Sequence, residues 1–144
     1  MKKIIFLLMV LLSCIVFCQK KSDVKFAICN DVVGTVHMFD TGKKFVQSIQ
    51  VYKQSTNLPQ HLKKYEYLAD NGLAEVKLKK QYGLSDSMSL QEFNIQNGIS
   101  QNTPVLIEGY KFENPATHIF SDIIDEITTE TLEGRKILVI TTKK

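Results

Sequence analysis

The chain has 144 residues, with 18 lysines and arginines against 15 aspartates and glutamates, three histidines, three cysteines and no tryptophan. Its net charge is +3 and its lysine pairs are scattered, so it lacks the dense basic stripe on which nucleic-acid binding rests. Three cysteines are too few for a disulfide-stapled scaffold, and the fold must stand on an apolar core.

Lys2 and Lys3 precede an apolar run from Ile4 to Cys18, broken only by Ser13. As a helix that run spans about 22 Å, short of the roughly 30 Å hydrocarbon core, so an export signal is expected over residues 1–18 rather than a permanent span. Val16-Phe17-Cys18 suits signal-peptidase cleavage after Cys18. Leu11-Leu12-Ser13-Cys14 is a loose lipoprotein box, and processing there would leave an acylated Cys14, the sole membrane attachment expected. The expected location is the periplasm or the medium, with an outer-membrane lipoprotein as the alternative. Without Lys2 and Lys3 the chain carries 16 basic against 15 acidic residues, so the basic excess belongs mostly to the signal. Cys29 then stands in VKFAIC among apolar neighbours, where a buried, inert thiol is expected. About 126 residues remain, enough for one ordinary domain or two very small ones. The expected division is a β-rich half over 19–86 and a second half over 87–144, or a single domain over 19–144.

In chain order, VGTVHMF is rich in β-branched residues at Val33, Thr35 and Val36 and predicts a strand. Asp40-Thr41-Gly42 marks a turn. FVQSIQVYK predicts a strand with Ile49, Val51 and Lys53 on one face. Asn57-Leu58-Pro59 is a loop. Asn71-Gly72 is a strong hairpin signal ahead of LAEVKLKK, where Ala74, Val76 and Leu78 alternate with polar residues, the period of a strand with one wet face. Gly98 to Pro104 is loop-like. Glu108-Gly109 between Val105-Leu106-Ile107 and Tyr110-Lys111-Phe112 predicts a two-residue hairpin, with Gly109 at positive φ. Ile119, Phe120, Ile123, Ile124 and Ile127 fit a helical stripe, with Asn114 as cap and Pro115 in the first turn, so a short helix is predicted over Pro115–Ile124. The Thr-rich DEITTETL reads as strand, and KILVITT as a central strand. The fold class expected is α+β and β-rich: antiparallel or mixed sheets built from hairpins, with one short helix near 115–124.

The stretch FNIQNGISQNTPVLIEGYKFENP resembles the plug domain of TonB-dependent outer-membrane receptors. In that family a strand ending in Ile-Arg-Gly leads through a polar loop to a Pro-Leu-Val-Leu-Ile-Asp-Gly hairpin and a loop with Asn-Pro. Phe93–Gly98, Ser100–Thr103 and Pro104–Gly109 stand for these elements. SDIIDEI and the terminal KILVITTKK follow in the family's order. The departures are Gln96-Asn97 for the family's Arg, Glu108 for its Asp, a shortened LEGRK before the last strand, and no TonB-box stretch. The chain stops where a barrel would begin, so transport is not expected of it. The resemblance implies that Val105–Ile107 and Ile137–Ile140 share a sheet. More faintly, Gly34, Val36, Thr41, Gly42, Lys43, Asn71 and Gly72 resemble the carboxypeptidase-regulatory-like β-sandwich that precedes plugs in receptors of the starch-utilisation type.

The three histidines, His37, His61 and His118, have no metal-ligand spacing between them. A helix over 115–124 would bring His118, Asp122 and Asp125 onto one face, a candidate metal or acid–base group. The polar face of an amphipathic element, opposite Ile119, Ile123 and Ile127, is the preferred explanation of them. Tyr65, Tyr67, Tyr110 and Phe112 could form a recognition surface or pack in a core. The expectation is a non-catalytic, exported interaction module with no cofactor and an envelope protein as partner. Its contacts are expected in two loops, through Asn97, Ser100, Gln101, Asn102 and Thr103, and through Tyr110, Lys111 and Asn114. A small secreted metal-dependent enzyme or binder, or a structural envelope lipoprotein, is the alternative.

Overall fold

The computed structural model describes residues 24–144; the export signal expected over 1–18, with Cys14 and Cys18, lies outside the described residues. In chain order the elements are β1 (Phe26–Cys29), β2 (Val32–Thr35), α1 (Val36–Thr41), β3 (Val46–Tyr52), a 3-10 helix (Gln60–Leu68), β4 (Leu73–Leu78), β5 (Ser87–Ser89), α2 (Leu90–Gln96), β6 (Val105–Ile107), β7 (Tyr110–Phe112), β8 (His118–Phe120), β9 (Ile124–Leu132) and β10 (Arg135–Thr142). They build a six-stranded sheet, β3-β4-β1-β2-β8-β5, and a four-stranded sheet, β7-β6-β10-β9. Both sheets are mixed, and the fold is a β-rich α+β fold as expected.

The centre of the larger sheet is written in FAIC and VVGT, whose residues are all buried, as strands covered on both faces must be. Asn30 and Asp31, at φ 48° and 67°, turn β1 into β2. β4 then adds parallel to β1, and β3 adds antiparallel to β4. On the other side β8 pairs parallel with β2, and β5 antiparallel with β8. Strands from both sides of residues 86 and 87 therefore share one sheet. Gly34 lets the sheet approach its cover: a Cβ there would lie 3.0 Å from the rings of both Phe39 and Phe120.

In the smaller sheet β10 is central. Leu138, Val139 and Ile140 pair parallel with Val105, Leu106 and Ile107, so the expectation of a common sheet holds. The Glu108-Gly109 hairpin forms as expected, with both residues at positive φ (51° and 82°). The two sheets meet through edge-to-face aromatic contacts. Phe26 of β1 lies 5.2 Å from Tyr110 and 6.0 Å from Phe112 of β7, ring centre to ring centre.

Four local expectations are corrected. VGTVHMF is a strand only to Thr35, whose hydroxyl accepts from the Met38 N–H (3.2 Å) and caps α1; the cap outweighs the β propensity of Val36. No helix spans 115–124. Asn114 Oδ1 accepts from the Ala116 N–H (3.0 Å) and closes a turn, β8 follows, and a single 3-10 turn at Ser121–Ile123 leads into β9. Asn71-Gly72 joins the 3-10 helix to β4 instead of joining two strands. Phe93 to Gln96, the counterpart of the plug's first strand, belongs to α2. That helix starts at a capping box, with Ser89 Oγ accepting from the Glu92 N–H (3.3 Å) and the Ser89 N–H donating to Glu92 (2.8 Å).

Candidate functional site

The β1–β2 turn, the 3-10 helix and the segment after β7 converge on an open groove of about 590 Å³. The 3-10 helix is nine residues long, unusual for this geometry. Its buried residues explain it: Leu62, Tyr65 and Leu68 recur every third residue, the repeat of three residues per turn. That repeat drives Tyr65 inward and leaves Tyr67 facing out.

Tyr65 is nearly fully buried, and its hydroxyl donates to the Asp31 carbonyl (2.8 Å) with the Asp31 carboxylate 3.3 Å away. Burial, and then the Asp31 charge, push the phenol well above its ordinary range, so it remains a neutral donor. Lys64 pairs with the Asp31 carboxylate and lies over the Tyr65 ring, 5.1 Å from its centre. Tyr67 is 39% exposed and packs edge-to-face on buried Phe112, ring centres 5.4 Å apart. Phe26, Phe112 and Tyr67 thus form an aromatic chain from the core to the groove. On the far wall Lys111 pairs with Glu113 (3.0 Å), and the Asn114 turn presents Ala116 and Thr117. The result is a fixed aromatic platform rimmed by two ion pairs, with polar groups free to meet a ligand and little net charge.

The two loops expected to carry contacts lie apart in the structure. Lys111 and Asn114 line the groove. Tyr110 is half-buried against Phe26, with Lys25 over its ring. The Asn97–Thr103 loop is pinned elsewhere. Asn97 Nδ2 donates to the Phe93 carbonyl (2.8 Å), Gln91 Nε2 donates to Gln101 Oε1 (3.0 Å), and buried Asn94 Nδ2 donates to the Thr103 carbonyl (2.7 Å). Ser100 closes a turn by accepting from the Thr103 N–H (2.9 Å), and exposed Asn102 lies within it. Thr103 lines a separate recess of about 110 Å³ with Pro104, Leu106 and Arg135; only Lys111 borders both.

The metal candidates also part. His118 borders the groove, Asp122 borders a second cavity of about 560 Å³ beside Lys44 and Lys143, and Asp125 borders neither. Among the described residues no three His, Cys, Asp or Glu side chains gather closely enough to hold a metal ion. With no helix over 115–124, the face that would have aligned the three does not exist. Cys29 is buried, and burial raises its pKa, as expected of an inert thiol.

Asn30, Asp31 and Lys64 were not singled out by sequence reasoning. Asn-Asp between FAIC and VVGT is a turn signal that could have located the first two. No family model, curated protein or solved structure matches the chain.

Proposed function

We propose that this protein is an exported, non-catalytic module of the periplasm or outer membrane that binds a protein partner through the Tyr67 groove. The observation that carries the reading is the groove's composition. An exposed tyrosine is held rigid by buried Phe112 and ringed by charges already paired within the chain, Lys64 with Asp31 and Lys111 with Glu113. Aromatic anchors inside a polar, charge-balanced rim are the composition favoured at protein interfaces. The export signal expected at the N-terminus and the resemblance of the 93–144 segment to receptor plugs support the location.

The test is recovery of a partner from envelope extracts on immobilised protein, followed by titration of that partner against variants. Tyr67→Ala is expected to weaken binding by roughly tenfold or more, as truncation of an aromatic anchor does. Lys77→Ala, on an exposed position of β4 outside the groove, is expected to bind as the parent does. Recovery of nothing beyond background, or equal binding by both variants, refutes the reading.

A further inference from the structure

Each open sheet has two outer strands, and among the described residues these are β3 and β5 in one sheet and β7 and β9 in the other. An outer strand carries unpaired N–H and C=O groups that can template another strand, and proteins blunt such edges by shortness, charge or bulges. β5 and β7 are three residues long. β9 is nine residues long but carries Asp125, Glu126 and Glu130. β3 has no comparable protection. Val46–Tyr52 contains no charged residue, and its only irregularity, between Val46 and Ser48, leaves Ser48–Tyr52 as regular edge. Within that edge Ile49 and Val51 are 40% and 48% exposed, beside Val76 and Ala74 of β4, which are buried. The apolar face of the sheet runs onto its outermost strand and ends in water.

We propose that β3 is a self-pairing edge, in which Ser48–Tyr52 of two copies of this chain pair antiparallel about Gln50. The residues select a second copy as the occupant. In this register Ile49 of each copy stands opposite Val51 of the other. Directly opposed residues share a face, so four β-branched side chains close over one another on the side where Val76 and Ala74 are already covered. On the other face Gln50 meets Gln50 and Ser48 meets Tyr52, all neutral and able to hydrogen-bond. Lys53, the first charge beyond the strand, falls opposite Gln47 rather than another lysine, so no like charges are opposed. β9 paired with itself would bring its carboxylates together. This surface belongs to the β3 end of the sheet and is separate from the Tyr67 groove, so either reading can fail without the other.

Analytical ultracentrifugation of the purified chain tests the proposal. The parent is expected to show a concentration-dependent dimer. Val51→Lys and Ile49→Glu are each expected to weaken it by at least roughly tenfold, because both opposed pairs are lost. Their circular dichroism should match the parent's, and so should their melting at concentrations where the parent is monomeric, since both positions are exposed. Mixing the two variants is expected to restore a mixed dimer: the introduced ammonium faces the introduced carboxylate at one pair, and the native Ile49–Val51 pair survives at the other. Thr129→Lys on β9 is expected to leave the dimer unchanged. A parent that is monomeric at every concentration reached, an undiminished dimer in Val51→Lys, failure of the mixed pair to recover, or loss of the dimer in Thr129→Lys would overturn it. So would a monomeric chain that takes up a strand of another protein at this edge.

Discussion

The same dipeptide turns two hairpins of one sheet, with different surroundings. Glu108-Gly109 joins β6 to β7 at φ 51° and 82°, and Glu133-Gly134 joins β9 to β10 at φ 51° and 76°. The backbones are near copies. Glu108, however, leans onto the last strand. Its N–H donates to the Ile140 carbonyl (3.1 Å), and its carboxylate accepts from the Thr142 N–H (2.6 Å) and hydroxyl (3.1 Å). Glu133 is exposed at the far end of a ribbon that continues past β6, since β6 pairs only with Leu138–Ile140 of β10. Local chemistry selects the turn in both places. The neighbouring strand decides how much stability the glutamate side chain contributes.

The comparison can be broken or sharpened in four ways. The largest effect is expected from the strand that both hairpins share. Leu138 is fully buried in β10, and Leu138→Ala is expected to cost about 2–5 kcal/mol in urea unfolding, with both hairpins melting in one transition. Separate transitions would show that the hairpins do not rest on a common strand. Next, Glu108→Ala strips a partly buried N–H and hydroxyl of their partner and is expected to cost about 1–3 kcal/mol. Glu133→Ala is expected to stay within about 0.5 kcal/mol of the parent. The strain of placing alanine at positive φ is common to both and cancels, so equal losses would erase the distinction. Third, Gly109→Ala and Gly134→Ala should destabilise alike, by about 1 kcal/mol, because the strain is in the backbone alone. A Cβ at either position meets nothing within 4 Å.

The smallest effect concerns a third glutamate, Glu92, tied by its own helix cap. Hydrogen bonds from the Ser89 side chain and backbone hold its carboxyl below its ordinary value of 4.5. A depressed folded pKa contributes stability that is present above the unfolded value and lost as pH falls through the folded one. Glu92→Gln is therefore expected to lower stability slightly in the neutral region, to flatten the acid limb of the stability–pH curve below about pH 4.5, and to converge with the parent at the acid end. NMR titration should place the Glu92 midpoint below 4.5; a midpoint at or above it would contradict the cap's role.

What was legible in the sequence were the elements whose cause is local. LAEVKLKK alternates, KILVITT is an apolar run of strand length, and Glu108-Gly109 sits between two apolar triplets. All three are strands or turns where expected. α2 could have been read from Ser89-Leu90-Gln91-Glu92, a capping-box spacing. The 3-10 helix could have been read from Leu62, Tyr65 and Leu68 at period three. The region around β8 could not. Ile119, Phe120 and Ile123 imitate a helical stripe because a strand inserted between β2 and β5, followed by a tight turn, buries consecutive residues. The groove was half legible: Lys111, Asn114 and the tyrosines could be named, but their meeting with Asp31 and Lys64 is a product of topology. The Asn97–Thr103 loop lies apart from the groove, and its Asn97 and Gln101 spend their side chains on α2.

The strand order of the larger sheet also constrains when this protein can become itself. β1 to β4 lie early in the chain, but β2's outer neighbour is β8, which begins at His118. A chain growing from its N-terminus therefore holds β2 with one side bare until residues 118–120 have been made. Completion waits on three late residues threading beside strands made long before, a contact of high sequence separation and so a slow one to form. Native assembly of this sheet therefore does not proceed strand by strand in chain order.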